Sequence, residues 1–382
     1  RYPRRKTAAA KKERKTMKFI CDGLVLSDAA VTVSKACSTK TTTPVLECIK
    51  IGAQNDVVTL LAYDGEISIE KKIKADVLEE GEICVNGRFF SDFIGKVSGM
   101  NVVISTGDKG LEIRYEDSES FMQALPASEF PSIKGEAGEE YFEVKEAALK
   151  ALISKTVFCC ATDESRPILK GCLLETEGGK LHATALDGYR MAVSQCEAAG
   201  GNGNVKIVCP ARTLTEISRM LEGGDETLKI YVAKNMLFVS VDDTVLTSRL
   251  YTGEFVNKSN IFPPAFSTQF CVSRAELIES VERASVLIRG DKNNLIIFEV
   301  KGGNILITAN SEIGNVSECV KGEMSGKELK IAMNGKFMLD ALKALDEDKV
   351  KLSFNTPIAP FTLENKDSQE SSYLILPVRT TA

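Results

Sequence analysis

The sequence predicts an α+β fold of three similar domains, each an antiparallel sheet backed by two helices. Two observations carry that prediction. The chain resembles itself at an offset of about 124 residues, and a helical stripe followed by alternating strands recurs twice in each repeat. Length agrees, since 382 residues exceed one ordinary core.

The repeat is read from paired segments. TPVLECI, Thr43 to Ile49, returns as RPILKGC, Arg166 to Cys172, and the same offset carries Asp64-Gly65 in LAYDGEI onto Asp187-Gly188 in TALDGYRMA. Phe19 maps onto Phe142 at that offset, and FCVSRAEL, from Phe270, restarts the pattern. NGRFFSDF at Asn86 resembles NGKFMLDA at Asn334, with PARTLTEI at Pro210 midway between them. The Asp-Gly turn has no third copy; ILITANSE, Ile305 to Glu312, occupies its place. The implied domains are 17–140, 141–268 and 269–382.

Within the second repeat, residues 145–157 put Ala148, Leu149, Leu152 and Ile153 on one helical stripe. Two alternating strands follow at 173–177 and 181–185, joined by the turn Gly178-Gly179. Another strand starts at Val205, and a helix over about 212–221 ends at Gly223-Gly224. One helix per half-repeat gives six in the chain, with strands in the remainder.

Composition narrows the function. Hydrophobic content of 43% and charged content of 26% are those of a soluble globular protein, and no apolar run reaches the length of a membrane span. Residues 1–16 carry eight basic residues against one acid, a local +7 that leaves about −12 on the rest of a −5 chain. That segment reads as a disordered or non-native leader and stands outside the fold reasoning. Eleven cysteines without a C-x-x-C pair read as buried thiols in a reducing cytoplasm, not as a disulfide framework or metal site.

Catalytic signatures are missing. GEMSGKE at Gly322 is one residue short of a phosphate loop and has Glu328 where a Ser or Thr would hold magnesium, so it reads as a solvated loop before a strand. The single histidine, His182, reads as a strand surface residue and cannot serve several acid–base roles. Asp242-Asp243 and Asp346-Glu347-Asp348 read as solvated turns. No cofactor is expected.

The acidic total hides basic residues at regular helical positions. Arg212 and Arg219 are seven apart, and Lys336 and Lys343 repeat that spacing 124 residues on. Arg88 and Lys96 are the first repeat's offering, and Lys35, Lys150, Lys155, Arg274 and Arg283 lie on the helices that open the repeats. Recurrence at equivalent positions suggests a positive lining for phosphates, with sequence-independent contact.

MKF (Met17 to Phe19), LPASEFP (Leu125 to Pro131), RPILKG (Arg166 to Gly171), ALDGYRMA (Ala185 to Ala192), MLEGG (Met220 to Gly224) and YLILPVR (Tyr373 to Arg379) resemble the bacterial sliding clamp family, the beta subunit of DNA polymerase III holoenzyme. The resemblance runs from Met17 to Arg379. It implies a head-to-tail homodimer closed into a ring of six DNA-clamp domains, helices inside and sheets outside, around double-stranded DNA. It implies no catalysis, and as partners the replicative polymerase, the clamp loader, and other polymerases and repair proteins, each docking through a short peptide. Membrane contact is not implied.

The resemblance also implies residue roles. Leu169, Gly188, Tyr189, Arg190, Met191, Ile261, Leu374, Leu376, Pro377, Val378 and Arg379 match the peptide pocket. The DNA-facing set is Lys40, Arg212, Arg219, Lys336 and Lys343, with Lys35, Lys155 and Arg283 added from helix position. Phe121 and Met122, and Val286 and Leu287, match the apolar pieces of the subunit contact. Leu186, Val256 and Asn260 depart from the family pattern, and the chain continues past Arg379 as Thr-Thr-Ala. Two other readings compete: a peptide-binding scaffold without a DNA role, and an enzyme with a cleft at 185–192.

Overall fold

The repeat read from the sequence reappears as repeated backbone hydrogen bonds. The computed structural model describes residues 16–107, 110–133, 138–198, 200–202, 204–257, 261–288 and 294–379. Pro44–Glu47 and Pro167–Lys170 each form a single 3-10 turn that feeds a strand. Proline at the first position suits such a turn, because its fixed φ is preset and its missing N–H is not needed there. In the first copy the Leu46 N–H donates to the Thr43 carbonyl (3.0 Å) and the Ser38 N–H to the Leu46 carbonyl (2.8 Å). In the second, Leu169 donates to Arg166 (2.9 Å) and Ala161 to Leu169 (2.8 Å). The offset is 123 in every case.

Six helices are present among the described residues: α1 (Gly23–Ser34), α2 (Gly87–Ile94), α3 (Glu146–Ser154), α4 (Ala211–Met220), α5 (Arg274–Leu287) and α6 (Gly335–Ala344). Each follows directly on a strand. Four of the entries are capped by a side chain that satisfies an otherwise unpaired first-turn N–H. Asp22 accepts from Leu24 and Val25, Asn86 from Phe89, Ser273 from Glu276, and Asn334 from Lys336 and Phe337. The Asn-Gly pairs at 86–87 and 334–335 have a second purpose. A Cβ on Gly87 would run into the Cys37 thiol, and one on Gly335 would stand 3.0 Å from the Ser285 hydroxyl. A side chain at either position would force a neighbour to move, the Cys37 thiol more than the Ser285 hydroxyl.

The described chain divides into two compact units. The first takes in residues up to 133 together with Phe238–Ser248. Its neighbouring strands run Ile67–Lys74, Val57–Tyr63, Cys48–Gln54, Gly81–Asn86, Ser118–Leu125, Gly110–Tyr115, Asn101–Thr106, Lys18–Asp22 and Asp76–Glu79. Every pairing is antiparallel, and residues 244–248 pair with 67–71. Phe19, Leu26, Ile49, Phe90, Ile104 and Ile113 are fully buried between this sheet and the helices α1 and α2.

The second unit holds α3 to α6. Its long sheet begins Lys206–Pro210, Gly171–Glu177, Lys180–Leu186, Arg190–Glu197 and continues with Ser371–Ile375, Phe361–Asn365, Lys349–Phe354, Thr268–Ser273. Gly314–Gly326, Asn304–Ser311, Leu295–Lys301 and Leu329–Asn334 complete it, again antiparallel. The decisive junction is Arg190–Glu197 against Ser371–Ile375, where Met191 faces Leu374 and the buried hydroxyls of Ser194 and Ser371 meet at 2.8 Å. That pairing joins the second repeat to the third.

One sequence expectation is corrected. GEMSGKE at Gly322 is no loop: Gly322 to Gly326 are the end of the strand Gly314–Gly326. A Cβ at Gly322 would meet the Cys271 carbonyl and the Phe270 ring, so this glycine serves close strand packing. Residues 1–15 of the leader, Asn260 and the tail 380–382 lie outside the described residues.

Candidate functional site

The turn at Asp187-Gly188 is built by its own aspartate. Asp187 Oδ1 accepts the N–H groups of Tyr189 (2.9 Å) and Arg190 (3.0 Å), and Gly188 takes φ 92°. The first repeat does the same: Asp64 Oδ1 accepts from Glu66 (2.9 Å) and Ile67 (3.0 Å), with Gly65 at φ 105°. Such an Asx turn with a left-handed glycine is a local solution written in two residues. What differs is the cargo. The second copy presents Tyr189, 66% exposed, and then Arg190 and Met191 where the first has Glu66 and Ile67.

Behind that turn lies an apolar cluster. Leu169, Met191 and Leu374 are buried together with Ala161 and Leu186, and Ile168, Val193, Phe255, Ile261 and Phe262 pack against them only partly covered. Strand alternation explains the arrangement: in Arg190–Glu197 Met191 points inward, and its register partner Leu374 comes from the chain's last strand. The chain then runs past the turn. The Leu376 N–H donates to the Tyr189 carbonyl (2.9 Å), and the Val378 N–H to the Ala332 carbonyl (2.8 Å). Leu376 is 37% exposed, so it stands with Tyr189 above a buried apolar floor. Pro377 and Val378 are half-buried beside it, and Arg379 is exposed. An apolar cluster bordered by exposed and polar groups is suited to anchoring a short peptide.

Arg190 takes a different part. Its Nε donates to Asp187 Oδ2 (3.0 Å), its Nη1 to Asp340 Oδ2 (2.6 Å) and its Nη2 to the Phe158 carbonyl (2.8 Å). The guanidinium stacks 4.3 Å from the Phe337 ring centre and 5.4 Å from that of Phe158. Burial works against the charge, and the bonds to Asp340 and Asp187 more than restore it, so its pKa lies above the usual arginine value.

The basic residues lie on α4, α5 and α6. Arg212 and Arg219 are both exposed on α4, and Lys336 and Lys343 on α6. Several already have carboxylate partners: Arg219 with Glu216 (2.5 Å), Lys343 with Glu282 (2.6 Å) and Arg283 with Glu318 (2.7 Å). Lys35 and Lys40, at and beyond the end of α1, are exposed.

Three consecutive family models, those of the N-terminal, central and C-terminal domains of the DNA polymerase III beta subunit, match residues 17–134, 143–257 and 259–379. The chain belongs to the DNA polymerase III beta subunit family. A beta sliding clamp of Staphylococcus epidermidis is 33% identical over 359 residues, spanning 91% of this chain and 95% of its own. One from Halalkalibacterium halodurans is 32% identical over 379 residues, 95% and 100% of the two chains. Among solved structures, the DNA polymerase sliding clamp of Bacillus subtilis superposes with a TM-score of 0.91 at 31% identity, over 96% of this chain and 100% of that one.

In this beta-subunit chain not every expected residue sits as its sequence position suggests. Lys155 lies just past the end of α3, its side chain is 16% exposed, and it bonds Asp346 at 2.8 Å. That carboxylate is also held by Asn365 (2.7 Å), so Lys155 is a strut between repeats and not part of an open helix face. Phe121 and Val286 are 48% and 57% exposed, with Met122 and Leu287 half-buried beside them. Asp346 is thus no free acidic turn, and among the described residues no three His, Cys, Asp or Glu side chains are grouped to hold a metal ion. No helix among the described residues is long and apolar enough to cross a membrane.

Sequence reasoning missed Phe255 and Phe262 in the floor, and Phe158, Phe337 and Asp340 around Arg190. For Phe255 a signal existed. Glu129-Phe130 and Glu254-Phe255 stand 125 residues apart, and Phe130 packs on Val45, Cys48, Cys84 and Ala127 as Phe255 packs on the site's cluster.

Proposed function

We infer that this beta-subunit chain is a DNA sliding clamp: a ring that encircles duplex DNA and tethers the replicative polymerase to it. The observation that carries the reading is the family match in three consecutive domains, joined to relatives of near-equal length that are themselves named beta sliding clamps. The ring is a head-to-tail homodimer, because a heterologous contact that closes after two copies makes a ring. Exposed Phe121 with Met122 on one edge, and exposed Val286 with Leu287 at the end of α5, supply the apolar contact.

Holding DNA by enclosure relaxes the demand on affinity. The cations of α4 and α6, with Lys35, Lys40 and Arg283, meet phosphates without reading bases, and their contribution fades with salt through counterion release. The acidic remainder of the chain discourages DNA from the outside. Partners dock by a short peptide whose apolar side chains enter the floor of Leu169, Met191, Leu374 and Ile261 under the lip of Tyr189 and Leu376. The clamp loader, other polymerases and repair proteins share that site. The chain itself performs no catalysis and works in the reducing cytoplasm, in keeping with its buried thiols.

Sedimentation equilibrium tests the ring. A dimer at micromolar concentration that, once loaded, stays on circular DNA and runs off linear DNA is the expected result. A strict monomer with equal retention on both would falsify the reading.

A further inference from the structure

We infer that Arg190 is a positioning residue that pins the docking lip of the second repeat to helix α6 of the third, and that Asp340 thereby sets the charge preference of the site. The inference rests on the peptide-docking reading above and adds to it what the site selects. An arginine at the lip of a pocket invites the opposite expectation, a free cation waiting for a peptide carboxylate. Its surroundings leave no room for that.

The guanidinium has five N–H donors. Three are directed at Asp187, Asp340 and the Phe158 carbonyl, the phenyl rings of Phe337 and Phe158 lie 4.3 and 5.4 Å from its central carbon, and 10% of the side chain is exposed. The charges close to it count one cation against two carboxylates. Asp187 is committed elsewhere as well, since its other oxygen holds the Tyr189 and Arg190 amides. A ligand carboxylate arriving at the lip therefore meets a cluster with net negative charge, where a bare arginine would have offered a bidentate partner.

The same geometry makes the group a mechanical link. Arg190 begins the strand Arg190–Glu197 and touches α6 through Asp340 and Phe337, three residues apart on one helical face. The strand pairing of Arg190 with Ile375 lies beside it, and a second strut, Lys155 to Asp346 with the Tyr373 hydroxyl donating to the Lys155 carbonyl (3.0 Å), joins the same two repeats. Losing Asp340 strips the cluster of one negative charge and releases Nη1. Losing Arg190 leaves Asp187 and Asp340 facing each other unpaired.

The test uses an acetylated Gln-Ala-Leu-Leu-Phe peptide made with a carboxamide end and with a free carboxylate, titrated against the full chain and its Asp340→Asn variant. The unmodified chain should bind the carboxamide form at least as well as the carboxylate form, and Asp340→Asn should shift the ratio toward the carboxylate by about tenfold, fading with salt. A salt-sensitive preference for the carboxylate in the unmodified chain, or a ratio untouched by Asp340→Asn, overturns the inference. If neither peptide binds, the docking reading fails, and hydrogen exchange decides the pin on its own. Arg190→Gln and Asp340→Asn should each speed exchange both at residues 189–191 and in α6, and the double variant should add little. Effects confined to each residue's own segment would overturn the pin.

Discussion

The Leu376 amide donates to the Tyr189 carbonyl at 2.9 Å, tying the chain's last segment to the exposed residue of the Asp187-Gly188 turn. Leu376→Pro removes that donor, keeps an extended backbone and leaves a ring in place of the leucine side chain, so Leu376→Ala serves as the control for the side chain alone. The proline variant should weaken capture of a glutamine-containing apolar peptide about fivefold, the loss of one hydrogen bond at ~1 kcal/mol. Fluorescence anisotropy measures it, and an unchanged affinity would show that the tail has no part in the lip.

Lip and floor separate in a second comparison. Tyr189 is 66% exposed and Leu169 2% exposed, so their truncations should differ in kind. Tyr189→Ala should cost docking while changing stability by no more than ~0.5 kcal/mol. Leu169→Ala should cost docking and also ~2–5 kcal/mol of stability through the cavity it leaves. Urea unfolding beside peptide titration checks both, and equal stability losses would contradict the assignment.

On the basic helices, removing a cation and removing its carboxylate partner should act in opposite directions. Lys343→Ala should weaken DNA binding and reduce the salt slope by about one, uniformly across sequences. Glu282→Gln frees Lys343 from its 2.6 Å pair and should strengthen binding and steepen the slope. Slopes unchanged in both variants, from salt titration on circular duplex, would rule these helices out as the DNA-facing surface.

Asp346 gives a pH signature. Its hydrogen bond from Lys155, opposed by some burial and helped by Asn365, holds its pKa below the ordinary 3.8. A carboxyl depressed in the folded state contributes stability above its unfolded pKa and loses it as pH falls through the folded value. The stability gap between the unmodified chain and Asp346→Asn should therefore be full at neutral pH and shrink only below about pH 3.8. A gap that closes near neutrality would place the effect on another group.

Thiol chemistry should be selective. Cys319 is exposed, whereas burial pushes Cys84 and Cys172 up to about 12. The thiolate is the reactive form, so an alkylating reagent should label Cys319 in the native protein and the buried thiols only on unfolding. Mass spectrometry of the labelled peptides tests this, and early labelling of Cys172 would contradict the packing.

Much of the fold was legible because it is local and repeated. The Asp-Gly turn needs two residues and an N–H pair, the Pro-headed 3-10 turn needs one ring, and the Asn caps need one side chain each, so the first two recur 123 residues on and the caps 248 residues on, two repeats away. Leu169, Met191, Ile261 and Leu374 were singled out through the family resemblance, and the structure brings all four into one apolar cluster. What surrounds Arg190 was not legible. Asp340 lies 150 residues from it, and Phe337 looks in the sequence like one more apolar position of an amphipathic helix. Lys155 shows the converse: helix spacing put it with the solvent-facing cations, and a partner 191 residues away turned it inward.

The Asn-Gly pairs that open α2 and α6 bear on how the molecule ages. An Asn side chain followed by glycine is prone to spontaneous deamidation, because the glycine nitrogen can close on the side-chain amide carbon. At Asn334 the side-chain oxygen is held by the Lys336 and Phe337 amides, and the Gly335 N–H is already given to the Asn294 carbonyl at 2.8 Å. The nucleophile's N–H is occupied and its target is held in place by two backbone amides. Folded, this helix start is shielded from the slow chemistry its sequence invites; each excursion to the unfolded chain restarts that clock.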